Sequence, residues 1–221
     1  MSKIRTLTLK FRNQLQNKEI KWFRGAIIHA LDKDNILFHN HEGNNYRYAY
    51  PLIQYKRINQ CAAILCLEEG VEAIGEFFSH YDNHIRIGEK NISLEIDFLF
   101  PAIFSLQLTE HPIPYSLKRW LPLNHDNFQL FQKIDNDEQR THFLEKILTG
   151  NILSCMKGLH VFLNKKINCE IYEITKIYFI HNKNINLLAF DIKFYCNLTL
   201  PQYIGLGKNA SINCGILNYA L

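Results

Sequence analysis

The chain has 221 residues, of which 47% are hydrophobic and 21% are charged, with a formal net charge of +4. This length fits one large domain or two small ones, and the apolar fraction can bury a core, which excludes a disordered chain. The small positive charge favours an anionic partner without identifying it. Six cysteines are scattered without a C-x-x-C pair and are expected to be reduced. No signal-type or membrane-spanning apolar run is present, so we expect a cytoplasmic protein without a membrane partner.

Two apolar patterns open the chain. Apolar and polar residues alternate from Leu7 to Phe11, which predicts a strand with one buried face. Asn17 then offers an N-cap for a helix. Apolar residues at helical spacing follow it: Ile20, Phe23, Ile27 and Leu31. Gly25 lowers the stability of this helix relative to alanine, so we expect a close backbone approach there.

The next segments complete a recognisable order of elements. The apolar runs Leu52–Tyr55 and Ala62–Leu67 flank a polar segment, which predicts a hairpin. Gly70 precedes a short amphipathic helix, and alternation from Ile92 to Phe100 predicts a further strand. The order strand, helix, strand, strand, helix, strand is the ferredoxin-like pattern, in which two helices cover one face of an antiparallel sheet.

A second unit is predicted after a segment with two prolines, His111–Pro114, which we interpret as a linker. The elements expected beyond it are a strand at Ser116–Leu123, a long helix that begins at Asp135–Glu138 and ends at Gly158, and strands at Ile167–Ile180 and Ile185–Leu198. We therefore predict an α+β protein of two tandem ferredoxin-like domains with antiparallel sheets, at residues 1–108 and 115–221.

The segment from Leu37 to Arg57, LFHNHEGNNYRYAYPLIQYKR, concentrates side chains that carry chemistry. Histidine can exchange protons near neutral pH, tyrosine can stack on bases, and Lys or Arg can neutralise phosphate. The residues of these types are His39, His41, Tyr46, Arg47, Tyr48, Tyr50, Tyr55, Lys56 and Arg57. This set suits the handling of a single-stranded or hairpin nucleic acid, with or without cleavage.

His39 and His41 are one residue apart, so an extended backbone would place both on one side. One could deprotonate a ribose 2′-hydroxyl and the other could protonate the departing 5′-oxygen, while Lys56 stabilises charge on the phosphate. This reaction needs no metal, because the nucleophile is already in the RNA. The alternative is a polar loop with incidental histidines.

Two further histidines are candidate metal ligands by their spacing. His80 and His84 have the i, i+4 spacing of one helix face, but no acidic partner completes an H-E-x-x-H motif. A solvated helix end therefore explains them better than zinc does. We predict no metal site and no cofactor.

The C-terminal segment PQYIGLGKNASINCG is rich in glycine and polar donors. Its candidate RNA-binding residues are Gly205, Gly207, Lys208, Asn209 and Ser211, together with Arg47 and Arg57 of the earlier segment. Glycine permits torsions and close approaches that a Cβ would block. The spacing is not that of a nucleotide P-loop, and a tight loop between strands is the alternative.

Taken together, the stretches FRGAIIHAL, LFHNH, YRYAYPLIQYK, EEGVEAI and LPQYIGLGKNASINCG resemble those of the CRISPR-associated endoribonucleases of the RAMP superfamily. These enzymes cut precursor CRISPR RNA at its repeats. The resemblance extends from near Ile4 to Ile216 and is most specific in YPLIQYK and YIGLGK.

The resemblance implies tandem ferredoxin-like domains, a glycine-rich loop that contacts RNA, and metal-independent cleavage that leaves a 2′,3′-cyclic phosphate. A histidine after the first helix is the usual catalytic centre, so His39 and His41 inherit that role, with His29 as a further candidate. The family loop usually continues with glycines, whereas Asn213 is found here and is expected to keep the bend, because asparagine tolerates positive φ.

The partners implied are CRISPR repeat RNA and other CRISPR-associated proteins, with the chain acting as a monomer or a homodimer. The sequence leaves two alternatives to an enzyme. One is a non-cleaving RNA-binding subunit of a CRISPR effector complex, and the other is a scaffold whose histidines only pack.

Overall fold

A computed structural model describes residues 2–31, 35–39, 41–42, 45–46, 49–82, 84–182 and 185–220. For residues 39, 41, 42, 45, 46 and 182 it describes the backbone alone. The chain divides into two compact units. The N-terminal unit comprises Lys3–Phe104 and Ser211–Asn213, and the C-terminal unit comprises Ser105–Ala210, Cys214–Leu221 and the first two residues. The boundary therefore lies before the predicted one, and a short C-terminal segment returns to the first unit.

The N-terminal unit contains a four-stranded sheet and two main helices. Its elements are β1 (Ser2–Gln14), α1 (Ile20–His29), α2 (Ile36–His39), β2 (His41–Glu42), β3 (Asn45–Tyr46), β4 (Ile53–Ile58), β5 (Cys61–Leu67), α3 (Glu69–His80), β6 (Ile85–Ile87), β7 (Lys90–Ile92) and β8 (Ile96–Leu106). The strand order β4-β5-β1-β8, with a helix in each crossover, is the predicted ferredoxin-like connectivity.

Helix α1 forms as the apolar spacing predicts, but its start differs from the prediction. Ile20, Phe23 and Ile27 are buried in the core. A capping box formed by Gln16 and Glu19 opens the preceding 3₁₀ turn, so Asn17 is not the cap. The amide oxygen of Asn17 instead accepts a hydrogen bond of 3.1 Å from Asn213. A long-range partner has replaced the local capping interaction.

The β4–β5 hairpin is confirmed, with Asn59 and Gln60 at positive φ in its turn. Gly70 is needed at the start of α3, because a Cβ there would lie 2.6 Å from the carbonyl oxygen of Leu52. Gly25 has no such constraint, since nothing lies within 4 Å of an added Cβ. The prediction of a close backbone approach at Gly25 is therefore wrong.

Strand β8 differs from the prediction in position, and several of its apolar side chains are exposed. It begins at Ile96, because an unpredicted hairpin of β6 and β7 occupies the residues before it. Phe98, Phe100 and Ile103 are exposed. The strand lies at an edge of the sheet, and the helices pack chiefly on β4, β5 and β6, so these apolar side chains stay uncovered within the unit.

The C-terminal unit repeats the strand connectivity with a different set of helices. Its elements are β9 (Leu108–Trp120), α4 (His125–Gln132), α5 (Asp137–Gly158), β10 (Cys169–Asn182), β11 (Ile185–Leu198) and β12 (Ile216–Tyr219), and its sheet order is β10-β11-β9-β12. Residues 199–215 are all described and contain no helix. The glycine-rich segment therefore occupies the place that a second helix has in the ferredoxin-like pattern.

The predicted linker His111–Pro114 lies inside strand β9. Pro114 pairs with Tyr195 of β11, and its carbonyl accepts a hydrogen bond of 3.2 Å from the N–H of Ala220. Proline removes a donor from a strand but leaves the acceptor. The sheet uses that acceptor, so the strand continues through both prolines.

Helix α5 is confirmed at both ends. The side chain of Asn136 accepts a hydrogen bond from the N–H of Gln139, which caps the helix start. Leu144, Leu148 and Ile152 are buried along one face. Among the described residues, no helix combines the length and apolar character needed to cross a membrane.

Candidate nucleic-acid site

The histidine-bearing segment begins at α2, whose last residue is His39. His41 lies on β2 and pairs with Tyr46 on β3, as the backbone places them. The side chains of His39, His41 and Tyr46 lie outside the described residues, as do all atoms of Arg47. Their assigned roles therefore stay predictions.

Helix α2 is fixed to the rest of the N-terminal unit at two points. Asn35 accepts a hydrogen bond of 3.0 Å from the N–H of Leu37 and donates one of 2.7 Å to Glu76 of α3. The side chain of Phe38 is buried, and its carbonyl accepts a hydrogen bond of 3.5 Å from the hydroxyl of Tyr55. The backbone that leads into His39 is thus anchored by Asn35, by Glu76 and by Tyr55, which the sequence analysis named for a different role.

Tyr55 is part of that anchor and not a stacking platform. Its side chain is fully buried, and its ring packs edge-on against Phe23 at 5.9 Å between centroids. Burial raises the pKa of the Tyr55 phenol well above its usual value, and the nearby Arg24 opposes this rise. The interpretation of Tyr55 as a residue that stacks on bases is wrong, because no face of its ring reaches solvent.

Lys56 and Arg57 follow on strand β4. The side chain of Lys56 is 0% exposed. Arg57 is half-buried, and its Nε donates a hydrogen bond to the carbonyl of Leu15. Burial restricts the access of a solvent-borne phosphate to both cations, so their predicted roles depend on how RNA approaches this strand.

The returning segment Ser211–Asn213 runs beside β4 within the N-terminal unit. The carbonyl of Ser211 accepts a hydrogen bond of 2.8 Å from the N–H of Tyr55. The side-chain oxygen of Asn213 accepts one of 2.8 Å from the N–H of Arg57. The structure thus brings Ser211 to the strand that carries Lys56 and Arg57.

Asn213 keeps the bend, as predicted, since its φ is +62°. It also uses its side chain, because one amide group bonds both Arg57 and Asn17. A glycine could adopt this φ but could make neither bond. The departure from the family's glycine pattern therefore has a structural explanation in this chain.

The remaining residues of the glycine-rich segment belong to the C-terminal unit. Lys208 is exposed, and Asn209 has a φ of +60°. Gly207 has a φ of +82°, and a Cβ there would lie 3.0 Å from both Trp120 Nε1 and Asn151 Oδ1. The torsion and close approach predicted for Gly207 are confirmed, and the neighbours are protein groups. Gly205 is buried and forms a β-bridge with Ile216.

His80 and His84 do not share a helix face. Helix α3 ends at His80, and His84 lies beyond it in the approach to β6. Both side chains nevertheless line one pocket with His29, the last residue of α1. Only the tertiary structure brings these three histidines together.

The architecture defines the class of protein. Two ferredoxin-like units in one chain, the second with a glycine-rich segment in place of a helix, form the arrangement that the RAMP superfamily implies. The family model of the Cas6b N-terminal domain matches residues 2–100, and the family model of the Cas6b C-terminal domain matches residues 107–219. The chain belongs to the Cas6b family.

The chain is also similar to solved structures and to one curated relative. A crystal structure of Cas6b matches with a TM-score of 0.91 and 25% identity, over 99% of this chain and 100% of that chain. A crystal structure of the CRISPR RNA processing endoribonuclease Cas6b matches with a TM-score of 0.77 and 22% identity, over 99% and 100%. An uncharacterized protein of Methanocaldococcus jannaschii is 30% identical over 109 residues, which are 49% of this chain and 73% of that protein.

Proposed function

We propose that this protein is a metal-independent endoribonuclease that cleaves precursor CRISPR RNA within its repeats. Membership of the Cas6b family over almost the whole chain is the observation that carries the proposal. A solved protein of the same fold is named a CRISPR RNA processing endoribonuclease. The histidine-bearing segment supplies residue types that suit the chemistry.

In the proposed reaction, the ribose 2′-oxygen attacks the adjacent phosphorus while the bond from phosphorus to the 5′-oxygen breaks. One of His39 and His41 takes the proton of the 2′-hydroxyl, and the other gives a proton to the departing 5′-oxygen. The products are a 2′,3′-cyclic phosphate and a 5′-hydroxyl. The anchoring of α2 through Phe38 and Asn35 supports this role, because general acid–base catalysis needs a fixed backbone.

Lys56 is proposed to stabilise the charge that develops on the phosphate. Its ammonium is buried, so this effect requires that the scissile phosphate reaches the strand or that the charge acts through a medium of low dielectric constant. Arg47 and Arg57 are proposed to contact the RNA backbone next to the scissile phosphate.

Binding of the RNA is assigned to the glycine-rich segment. Lys208 is exposed and can neutralise a phosphate, while Asn209, Ser211 and the loop N–H groups offer donors. Gly205 and Gly207 shape this segment. The proposed partner is therefore CRISPR repeat RNA.

Reversing the charge at Lys208 tests the binding assignment. Lys208→Glu is expected to weaken repeat RNA binding and to reduce its salt dependence, because each neutralised phosphate releases counterions. The slope of log affinity against log salt should fall by about 1–2 units, which filter binding at several salt concentrations would measure. Lys146→Glu, on an exposed position of α5, is the matched control. Equal losses in the two variants would contradict a specific role for Lys208.

The chemistry is tested with a modified substrate. A repeat RNA with 2′-hydrogen in place of the 2′-hydroxyl at the cut site should bind normally and resist cleavage, because it lacks the nucleophile. The unmodified RNA should be cut in the presence of EDTA, and its product should carry a 2′,3′-cyclic phosphate by mass spectrometry. Cleavage of the 2′-deoxy RNA, or a requirement for added magnesium, would refute the mechanism. Binding without any cleavage would indicate a non-cleaving RNA-binding subunit.

A further inference from the structure

An open pocket in the N-terminal unit lies between α1 and the segment that leads from α3 through β6, with a volume of about 560 Å³. Basic and aromatic side chains predominate among the groups that line this pocket and can bind a ligand. The side chains concerned are Lys21, Trp22, His29, His80, His84 and Arg86. Among the described residues that line the pocket, only Asp82 has an acidic side chain. This balance of charge favours an anionic ligand.

Trp22 is held in place at the edge of this pocket. Gly88, in the turn between β6 and β7, packs against the six-membered ring of the indole, and a Cβ there would lie 3.2 Å from Cε3. Gly88 also has a φ of +62°, which favours glycine. Trp22 is still 50% exposed, so it remains accessible to a flat ligand.

Gly25 leaves room beside that ring. On α1, Trp22, Gly25 and His29 lie at i, i+3 and i+7, which places them on one helix face. All three line the pocket, and nothing lies within 4 Å of a Cβ added to Gly25. The glycine weakens the helix without any packing need, and the space that it leaves belongs to the pocket.

Arg86 is oriented toward the same turn. Its Nε donates a hydrogen bond of 3.1 Å to the carbonyl of Gly88. Gly88, which packs against the indole of Trp22, therefore also holds the guanidinium of Arg86. The remaining N–H groups of that guanidinium can bond a phosphate. A flat aromatic ring and an oriented cation are thus built on one short turn.

We propose that this pocket binds one nucleotide of single-stranded RNA, with the base stacked on Trp22 and the phosphate among Lys21, Arg86 and the histidines. Stacking on an aromatic ring beside cations is how proteins bind single strands with little sequence preference. The choice of RNA over a free nucleotide rests on the proposed function, since a nuclease for repeat RNA encounters long single strands. The pocket would hold a part of the strand and take no part in the chemistry.

Tryptophan fluorescence tests this site directly. The chain has two tryptophans, and Trp120 is 0% exposed, so quenching by an added ligand reports Trp22. Hexa-adenylate RNA is expected to quench the emission of the full-length protein. AMP should do so only at much higher concentration, because it offers one base and one phosphate, and inorganic phosphate should not quench.

Two matched variants locate the effect. Gly25→Leu fills the pocket and is expected to weaken hexa-adenylate binding roughly tenfold or more, the effect of removing a stacked base. Gly75→Leu changes an exposed glycine of α3 that likewise has nothing within 4 Å and does not line the pocket, so it should bind as the unmodified protein does. Trp22→Phe should lose the fluorescence change and confirm the source of the signal.

The outcomes separate this inference from the proposed function. A protein with both His39→Ala and His41→Ala should still show the quenching, because the site is not catalytic. Cleavage of repeat RNA without any quenching would refute only the proposed nucleotide site in the pocket. Quenching without cleavage would refute only the proposed endoribonuclease activity. Equal binding by Gly25→Leu and Gly75→Leu would also overturn the pocket. Tighter binding of AMP than of hexa-adenylate would replace RNA with a free nucleotide as the ligand.

Discussion

Replacing His39 or His41 with alanine is expected to slow the cleavage of repeat RNA by roughly 10²–10⁴-fold, the usual contribution of general acid–base catalysis. Binding should change little, because a neutral histidine contributes less to phosphate affinity than Lys or Arg. Single-turnover cleavage with the enzyme in excess, together with a separate measurement of RNA affinity, separates these two effects. The double variant should lose little beyond the slower single variant, since residues that act as a unit are not additive.

His111→Ala is the control for this series, since His111 is exposed on strand β9 of the other unit. It should cleave at the unmodified rate. A slow reaction in the histidine variants that is matched by a loss of affinity would place these residues in binding and not in catalysis. Unchanged rates in both single variants would refute their catalytic role.

Gly215→Ala is expected to destabilise the C-terminal unit strongly. Gly215 has a φ of +58°, and a Cβ there would lie 1.8 Å from the carbonyl oxygen of Leu206. The left-handed backbone costs an alanine about 1–2 kcal/mol, and displacing a packed neighbour costs about 1–3 kcal/mol more. We therefore expect a loss of about 2–5 kcal/mol in the free energy of unfolding, measured by urea denaturation.

Gly150→Ala is the matched control in the same unit. Gly150 lies in α5 with nothing within 4 Å of an added Cβ, so alanine should stabilise the protein by about 1 kcal/mol at most. Opposite signs for the two glycine-to-alanine changes are the expected result. A neutral effect of Gly215→Ala would mean that the turn next to β12 can relax around a methyl group.

Local patterns predicted the elements whose stability is local. The β4–β5 hairpin follows from two apolar runs around a polar turn, and helix α5 follows from its cap at Asn136 and its periodic apolar face. The positive φ of Asn213 follows from the tolerance of asparagine for that region. In the hairpin turn and at the helix cap, the interactions that decide the structure lie within a few residues of one another.

Local sequence patterns gave wrong predictions where a residue distant in sequence decides the structure. Asn17 bonds Asn213 and does not cap α1, and Pro114 lies in a strand because its carbonyl accepts from Ala220. Tyr55 is buried, with its ring against Phe23 and its hydroxyl bonded to the carbonyl of Phe38. None of these partners is adjacent in sequence, so no local period or motif could indicate them.

The sequence by itself determined the α+β class, the order of the main strands and helices in two ferredoxin-like units and the residue types of the candidate site. These properties depend on periodicity and composition, which are visible along the chain. Only the tertiary structure decided that Ser211–Asn213 return to strand β4, that Gly215 admits no side chain, and that Trp22, Gly25 and Arg86 share one pocket. These outcomes depend on which distant segments the folded backbone brings within contact distance, and a linear pattern does not contain that information.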